Sequence, residues 1–303
     1  MSRRVAMLAF ALAAVVPGAP ALAAKDPPIA AWSTVEEKNL LAGKAAIQPT
    51  EGYIFLRSMG RFTGAFLRVP DEQDRADYGV VFENAFAKAE KSYAVRMKYW
   101  DAEVKFAHQR RLTPPPKPVE PKRETFPAGD IALRLHVQVG PMFLFSKSSD
   151  TEEVSYLNSV KPGTYIYYGP VFTWAYGVGG GTCYCMGSVR FEVKAGQITD
   201  LGNFLSVAAD AASQPTPDLP PKVIPAAAAT PTYGLPPSLA SYPSARAEFH
   251  ASGKVNNIYG ITVSRMPPVP GVLAYRRDIA VDVATGQDAG LGLGAKPVVA
   301  ALP

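Results

Sequence analysis

The chain has 303 residues, 48% of them hydrophobic, and a formal net charge of +5. That charge is small and its basic residues are scattered along the sequence, which argues against nucleic acid as a partner. Beyond the N-terminal segment, about 280 residues can bury a substantial core, as one large domain or two small ones.

Arg3-Arg4 is followed by an apolar run from Val5 to Val16, then by Pro17–Pro20 and the small residues Ala21-Leu22-Ala23. Residues 1–23 therefore read as a secretory signal peptide cleaved after Ala23, since twelve apolar residues are too few to span a bilayer. The paired arginines are compatible with twin-arginine export, and no cysteine near the cleavage site points to a lipoprotein. Loss of Arg3 and Arg4 leaves a net charge of +3. No later apolar run suffices for a transmembrane segment, so a periplasmic or secreted product is expected.

Residues 24–50 read as an N-terminal tether containing Pro27-Pro28 and a short helical candidate, Thr34–Gly43. A β domain is expected over 51–207. Two apolar strands, Gly52–Arg57 and Gly64–Val69, read as the hairpin that opens it. The period then changes from two to 3.6, and a helix is expected over 72–111. Phe82, Phe86, Ala89, Tyr93, Met97, Trp100, Val104 and Ala107 recur at steps of four and three and form one stripe of it. Such a stripe either packs on the outside of the sheet or projects to meet a partner. Aromatics are poor residues for a heptad seam, so packing on the sheet is expected.

Residues 112–123 hold Pro114-Pro115-Pro116, Pro118 and Pro121, and read as a stiff polyproline II connector. Ile131, Leu133, Leu135, Val137 and Val139 then alternate with polar residues, as a half-buried strand requires. Met142–Ser146 and Thr151–Leu157 lead into the densest stretch, Ser159–Leu205. Lys161-Pro162-Gly163-Thr164 is a turn in which proline presets φ and glycine accepts a positive one. Tyr165–Tyr168, Val171–Tyr176 and Ser188–Lys194 follow as strands of an antiparallel meander.

Both cysteines lie in this stretch, as Cys183-Tyr184-Cys185. If the strand runs unbroken through Gly187, both share the buried face of Val189, Phe191 and Val193. Two lone cysteines in an oxidising compartment are usually joined, though Cα atoms two apart in a strand are roughly 6.5–7 Å apart, at the upper edge of disulfide geometry. A structural bridge or buried thiols, a redox dithiol and a soft-metal site all remain open for Cys183 and Cys185. A metal needs further ligands, and only three histidines exist, none nearby. Tyr167, Phe172, Trp174 and Tyr176 are the candidate aromatic binding surface, against the alternative that they pack in the core. The glycines at 177, 179, 180 and 181 precede a strand rather than a helix, so they do not form a phosphate loop.

Residues 208–247 are rich in Ala and Pro and read as a linker. A short C-terminal strand segment is expected at 248–284, and a disordered tail at 285–303. Val160–Tyr165, Phe191–Val193, Ala195–Ile198 and Leu201-Gly202 together resemble a pattern in uncharacterised bacterial envelope proteins. They are also similar to the Pro-Gly-Thr-Tyr hairpin of prealbumin-like, carboxypeptidase-regulatory-type β-sandwich modules. The resemblance covers about residues 52–70 and 131–205. It implies a small antiparallel sandwich with a non-catalytic role, and transfers no functional residue.

The expected architecture is mainly β: an antiparallel β-sandwich-like domain with a long amphipathic helix insertion and an extended Pro-rich C-terminal arm. The expected function is an exported, non-enzymatic envelope binding or interaction module without cofactor, whose partner is an envelope protein or a glycan. The alternative is a thiol redox or soft-metal-handling protein using the Cys-Tyr-Cys pair.

Overall fold

The computed structural model describes residues 26–27, 32–142, 144–174, 177–206 and 231–290, with the backbone alone at 173–174 and 177–179. The signal peptide expected at 1–23, the first part of the linker expected at 208–247, and residues 291–303 lie outside the described residues.

The chain begins with β1 (Ser33–Thr34), α1 (Glu37–Leu41), β2 (Gly52–Met59), β3 (Gly64–Arg68) and the long helix α2 (Glu72–Arg110). It continues with β4 (His136–Val139), β5 (Ser146–Lys147), β6 (Glu153–Val160), β7 (Gly163–Gly169), β8 (Val171–Trp174), β9 (Gly177–Cys183), β10 (Ser188–Val193) and β11 (Ile198–Asp200). The C-terminal region adds β12 (Ser244–Arg246), β13 (His250–Ser252), β14 (Thr262–Val263), β15 (Leu273–Arg276), β16 (Ile279–Asp282) and β17 (Gln287–Asp288).

One sheet has the order β1-β6-β2-β11-β12, with β5 also on β6, and the second has the order β13-β10-β7-β3-β4. Pairing is antiparallel in both, except that β11 runs parallel to β2 and β12. Ile54 and Leu56 of β2 and Tyr156 of β6 share one core with Phe66 of β3, Tyr167 of β7 and Phe191 of β10. This is a mainly β, sandwich-like fold with one long helix.

Each sheet is covered on its outer face as well. Tyr53 and Phe55 pack with Leu40 of α1 and with Leu239. Ala65, Leu67, Ile166 and Tyr168 pack with Cys183, Cys185 and Val255. A strand covered on both sides needs apolar residues at successive positions, which explains the unbroken runs Tyr53–Leu56, Ala65–Leu67 and Tyr165–Tyr168. Burying each such large side chain is worth about 1.5–3 kcal/mol.

Several expectations are corrected by this topology. β2 and β3 do not form a hairpin, because each pairs with strands of a different sheet. The expected meander is interrupted: β7 pairs with β10, while β8 and β9 form an intervening hairpin. A Cβ at Gly169, where φ is 134°, would run into the carbonyl of Thr182, so the turn out of β7 requires glycine. Residues Ile131–Arg134 form a 3-10 turn, and the strand starts only at His136. The Asp130 carboxylate accepts from the Ala132 N–H at 2.8 Å and starts that turn instead of a strand.

The N-terminal tether is stitched to β6 by β1, through Ser33 and Thr34. The C-terminal arm, described from residue 231, lays β12 on the first sheet and β13 on the second. Leu239, Ala251, Met266 and Leu273 from this arm are all buried. Gln287 and Asp288, placed in a disordered tail by composition, pair with β16.

Candidate functional site

The largest departure from a simple sandwich is α2. Its 39 residues make a rod about 58 Å long. Asp71 caps it in a reciprocal box: the Asp74 N–H donates to Asp71 at 2.8 Å, and the Asp71 N–H donates to Asp74 at 2.9 Å. Arg111 ends it in the left-handed conformation, with φ at 57°.

The same two carboxylates root the helix in the sandwich. Arg68, at the end of β3 and only 2% exposed, is ion-paired with Asp74, itself 6% exposed. Lys161, from the turn between β6 and β7, lies 2.9 Å from Asp71 and 3.1 Å from Asp74. Burial opposes ionisation of Asp71, but the hydrogen bonds from Lys161 and from the Asp74 N–H outweigh it and hold its carboxyl well below the usual range. Burial likewise opposes the Lys161 charge, and the two carboxylates outweigh it and raise that pKa.

The expectation that the aromatic stripe packs on the sheet is corrected. None of the α2 side chains belongs to the three apolar clusters of the sandwich. The connector covers the stripe instead. Phe82 and Phe86 stack on each other and meet Phe126 edge-on. Glu83 is paired with Arg123, and the Trp100 indole N–H donates to the Pro115 carbonyl at 2.9 Å.

These pairings fit the two rises. From Trp100 to Glu83 the helix descends about 26 Å, and from Pro115 to Arg123 a polyproline II chain descends about 25 Å. Pro115, Pro118 and Pro121 are half-buried while their neighbours are exposed, which is the three-residue period of that helix. The result is a helix–polyproline arm closed on itself. Its opposite side was missed in the sequence. Val95, Tyr99 and Phe106 are 51%, 67% and 54% exposed, and with exposed Ala102 they recur at steps of four, three and four.

Cys183 and Cys185 form a disulfide with Cα atoms 5.1 Å apart. β9 ends at Cys183, and a turn follows in which the Gly187 N–H donates to the Tyr184 carbonyl at 3.1 Å. That turn breaks the strand parity assumed from sequence. Tyr184, not the cysteines, joins Val189 and Phe191, and the sulfurs face the outer cluster with Val255. The bridge is wrapped by the C-terminal arm, since Ser264 N–H donates to the Cys183 carbonyl and Val255 N–H to that of Cys185.

Of the candidate aromatic surface, Tyr167 is interior, against Phe62, Phe66 and Tyr184. Burial pushes its hydroxyl well above the usual pKa, so it belongs to the core and not to a binding face. Phe172 is 44% exposed and lies over Gly180. Trp174 ends β8, and Tyr176 lies outside the described residues. A cleft of about 10 Å³ beside Trp32, Arg68, His136 and Lys161 is far smaller than the roughly 300–1,000 Å³ of organic ligand sites. Among the described residues, no His, Cys, Asp and Glu cluster is built to hold a metal, and no helix is long and apolar enough to cross a membrane.

Comparison with family models, curated proteins and solved structures finds no match. The class is therefore described by geometry: a β-sandwich that carries a rooted helix–polyproline arm.

Proposed function

We propose that the protein is an exported, non-enzymatic interaction module of the cell envelope that binds through this arm. The observation that carries the reading is the two-sided character of distal α2. One side is closed by the protein's own connector, while Val95, Tyr99 and Phe106 stay exposed on the other. A helix with no core to serve needs neither this length nor this second apolar stripe for stability. Export rests on the Val5–Val16 run and the Ala21-Leu22-Ala23 site, and kinship to prealbumin-like modules rests on the Val160–Tyr165 turn.

A photo-crosslinking residue at Tyr99, in cells expressing the full chain, is expected to capture an envelope component. The same probe at Ser149, in an exposed loop of the sandwich, is expected to capture none. Equal capture from both positions, or none from Tyr99, refutes the reading. The thiol alternative has the disulfide in its favour and the burial of both sulfurs against it.

A further inference from the structure

The arm gathers charge that looks scattered in the sequence. Residues 88–122 carry nine Lys and Arg against four Asp and Glu, a net charge of +5. Without residues 1–23 the chain as a whole is +3, so everything outside that segment nets −2. The folding of α2 against its connector makes this one basic rod.

At 100° per residue, Val95, Tyr99, Ala102 and Phe106 fall within about 60° of arc, roughly 150° from the stripe that the connector covers. Lys91, Lys98 and Lys105 repeat every seven residues along one border of this exposed stripe. Arg96, Glu103 and Arg110 repeat along the other, and the Arg110 guanidinium lies 5.5 Å over the Phe106 ring. An apolar and aromatic strip about 17 Å long thus runs between two borders that both carry net positive charge.

We propose that this face docks on an anionic phospholipid surface, with Tyr99 and Phe106 entering the headgroup region and the lysines reaching lipid phosphates. The inference rests on the arm being the binding element. A second copy is disfavoured, since pairing two arms would set like charges against each other. A helical partner is specified by a seam of mainly aliphatic residues, whereas aromatic Tyr99 and Phe106 dominate this strip. An extended anionic plane satisfies both borders at once, and aromatic rings with basic flanks are the usual makeup of interfacial helices.

The test uses the full mature chain and sedimentation with vesicles of phosphatidylcholine, alone or with about one-third phosphatidylglycerol. Binding is expected only with phosphatidylglycerol. It should collapse when salt rises from about 0.1 to about 1 M, as the Debye length falls from roughly 10 to 3 Å. Lys98→Gln/Lys105→Gln is expected to weaken it about thirtyfold, at roughly fivefold per basic residue. Tyr99→Ser/Phe106→Ser, at exposed positions that no core uses, is expected to weaken it comparably at unchanged charge.

Equal binding to neutral vesicles, or insensitivity to either double variant, overturns the proposal. Heparin binding as tight as vesicle binding and independent of Tyr99 and Phe106 also overturns it, in favour of a general polyanion site. If vesicles fail while the Tyr99 probe still captures an envelope protein, the lipid inference falls and the arm reading stands. If both fail, both fall.

Discussion

Replacing Asp74 tests how the arm is rooted. Its carboxylate is 6% exposed and pairs with an Arg68 guanidinium that is 2% exposed, so losing one partner leaves a buried charge short of its counterion. Such losses cost about 3–5 kcal/mol. Arg68 keeps Asp71 at 3.2 Å, which places Asp74→Asn at the low end, about 3 kcal/mol. Asp74→Ala also removes the acceptor of the Asp71 N–H, adding about 1 kcal/mol for half a capping box. Urea unfolding at neutral pH followed by far-UV circular dichroism gives both values. Arg68→Met/Asp74→Leu is expected to recover much of the loss, because the uncompensated charge is gone. A cost under about 1 kcal/mol for Asp74→Ala refutes the view that this pair fixes the root.

Four further outcomes follow from the same geometry. Asp71 and Asp282 have folded pKa values lowered below the usual one, burial opposing and hydrogen bonds from Lys161 and from the Thr285 N–H and His250 respectively outweighing it. Their stabilisation is full above the unfolded value and lost on acidification, so urea midpoints should fall between about pH 5 and pH 2 and level off above. Cys183→Ala/Cys185→Ala removes a very short loop, so it should cost only about 1.5–2 kcal/mol in urea melts, and a loss above about 4 kcal/mol contradicts that. In the reduced native protein the same two thiols should label slowly, being buried. Trp100→Ala should raise amide exchange in distal α2 while changing the stability of the sandwich by under about 1 kcal/mol; a cost of 3–5 kcal/mol would restore the packing of that stripe on the sheet.

Much of the fold was legible because strong local signals agree with it. The 3.6 period from Phe82 marks α2, and the polyproline character of the connector is written in its prolines. What the sequence hid is that these two features cover each other, since a stripe does not say what it faces. The second stripe at Val95, Tyr99 and Phe106 was present at helical spacing, but the longer stripe of larger rings overshadowed it. The cysteine parity failed for a local reason: Gly187 lets the chain turn just after Cys183, so the period-two rule no longer applied. Strands of two or three residues such as β12 and β14 pair across long sequence separations and leave almost no local pattern.

The most direct measurement removes the outer arm. Trp100 sits opposite Pro115 and the helix rises half as much per residue as the connector, so residue 91 lies opposite residue 119. Replacing residues 92–118 by a short Gly-Ser turn therefore keeps the Phe82, Phe86 and Phe126 contacts and the root at Arg68 and Asp74. The truncated chain is expected to unfold cooperatively within about 1 kcal/mol of the full one, because among the described residues the deleted part joins none of the sandwich's apolar clusters. It is also expected to lose capture from the envelope and binding to anionic vesicles. A loss of several kcal/mol, or failure to fold, would show that distal α2 serves the sandwich core and would contradict the independent arm.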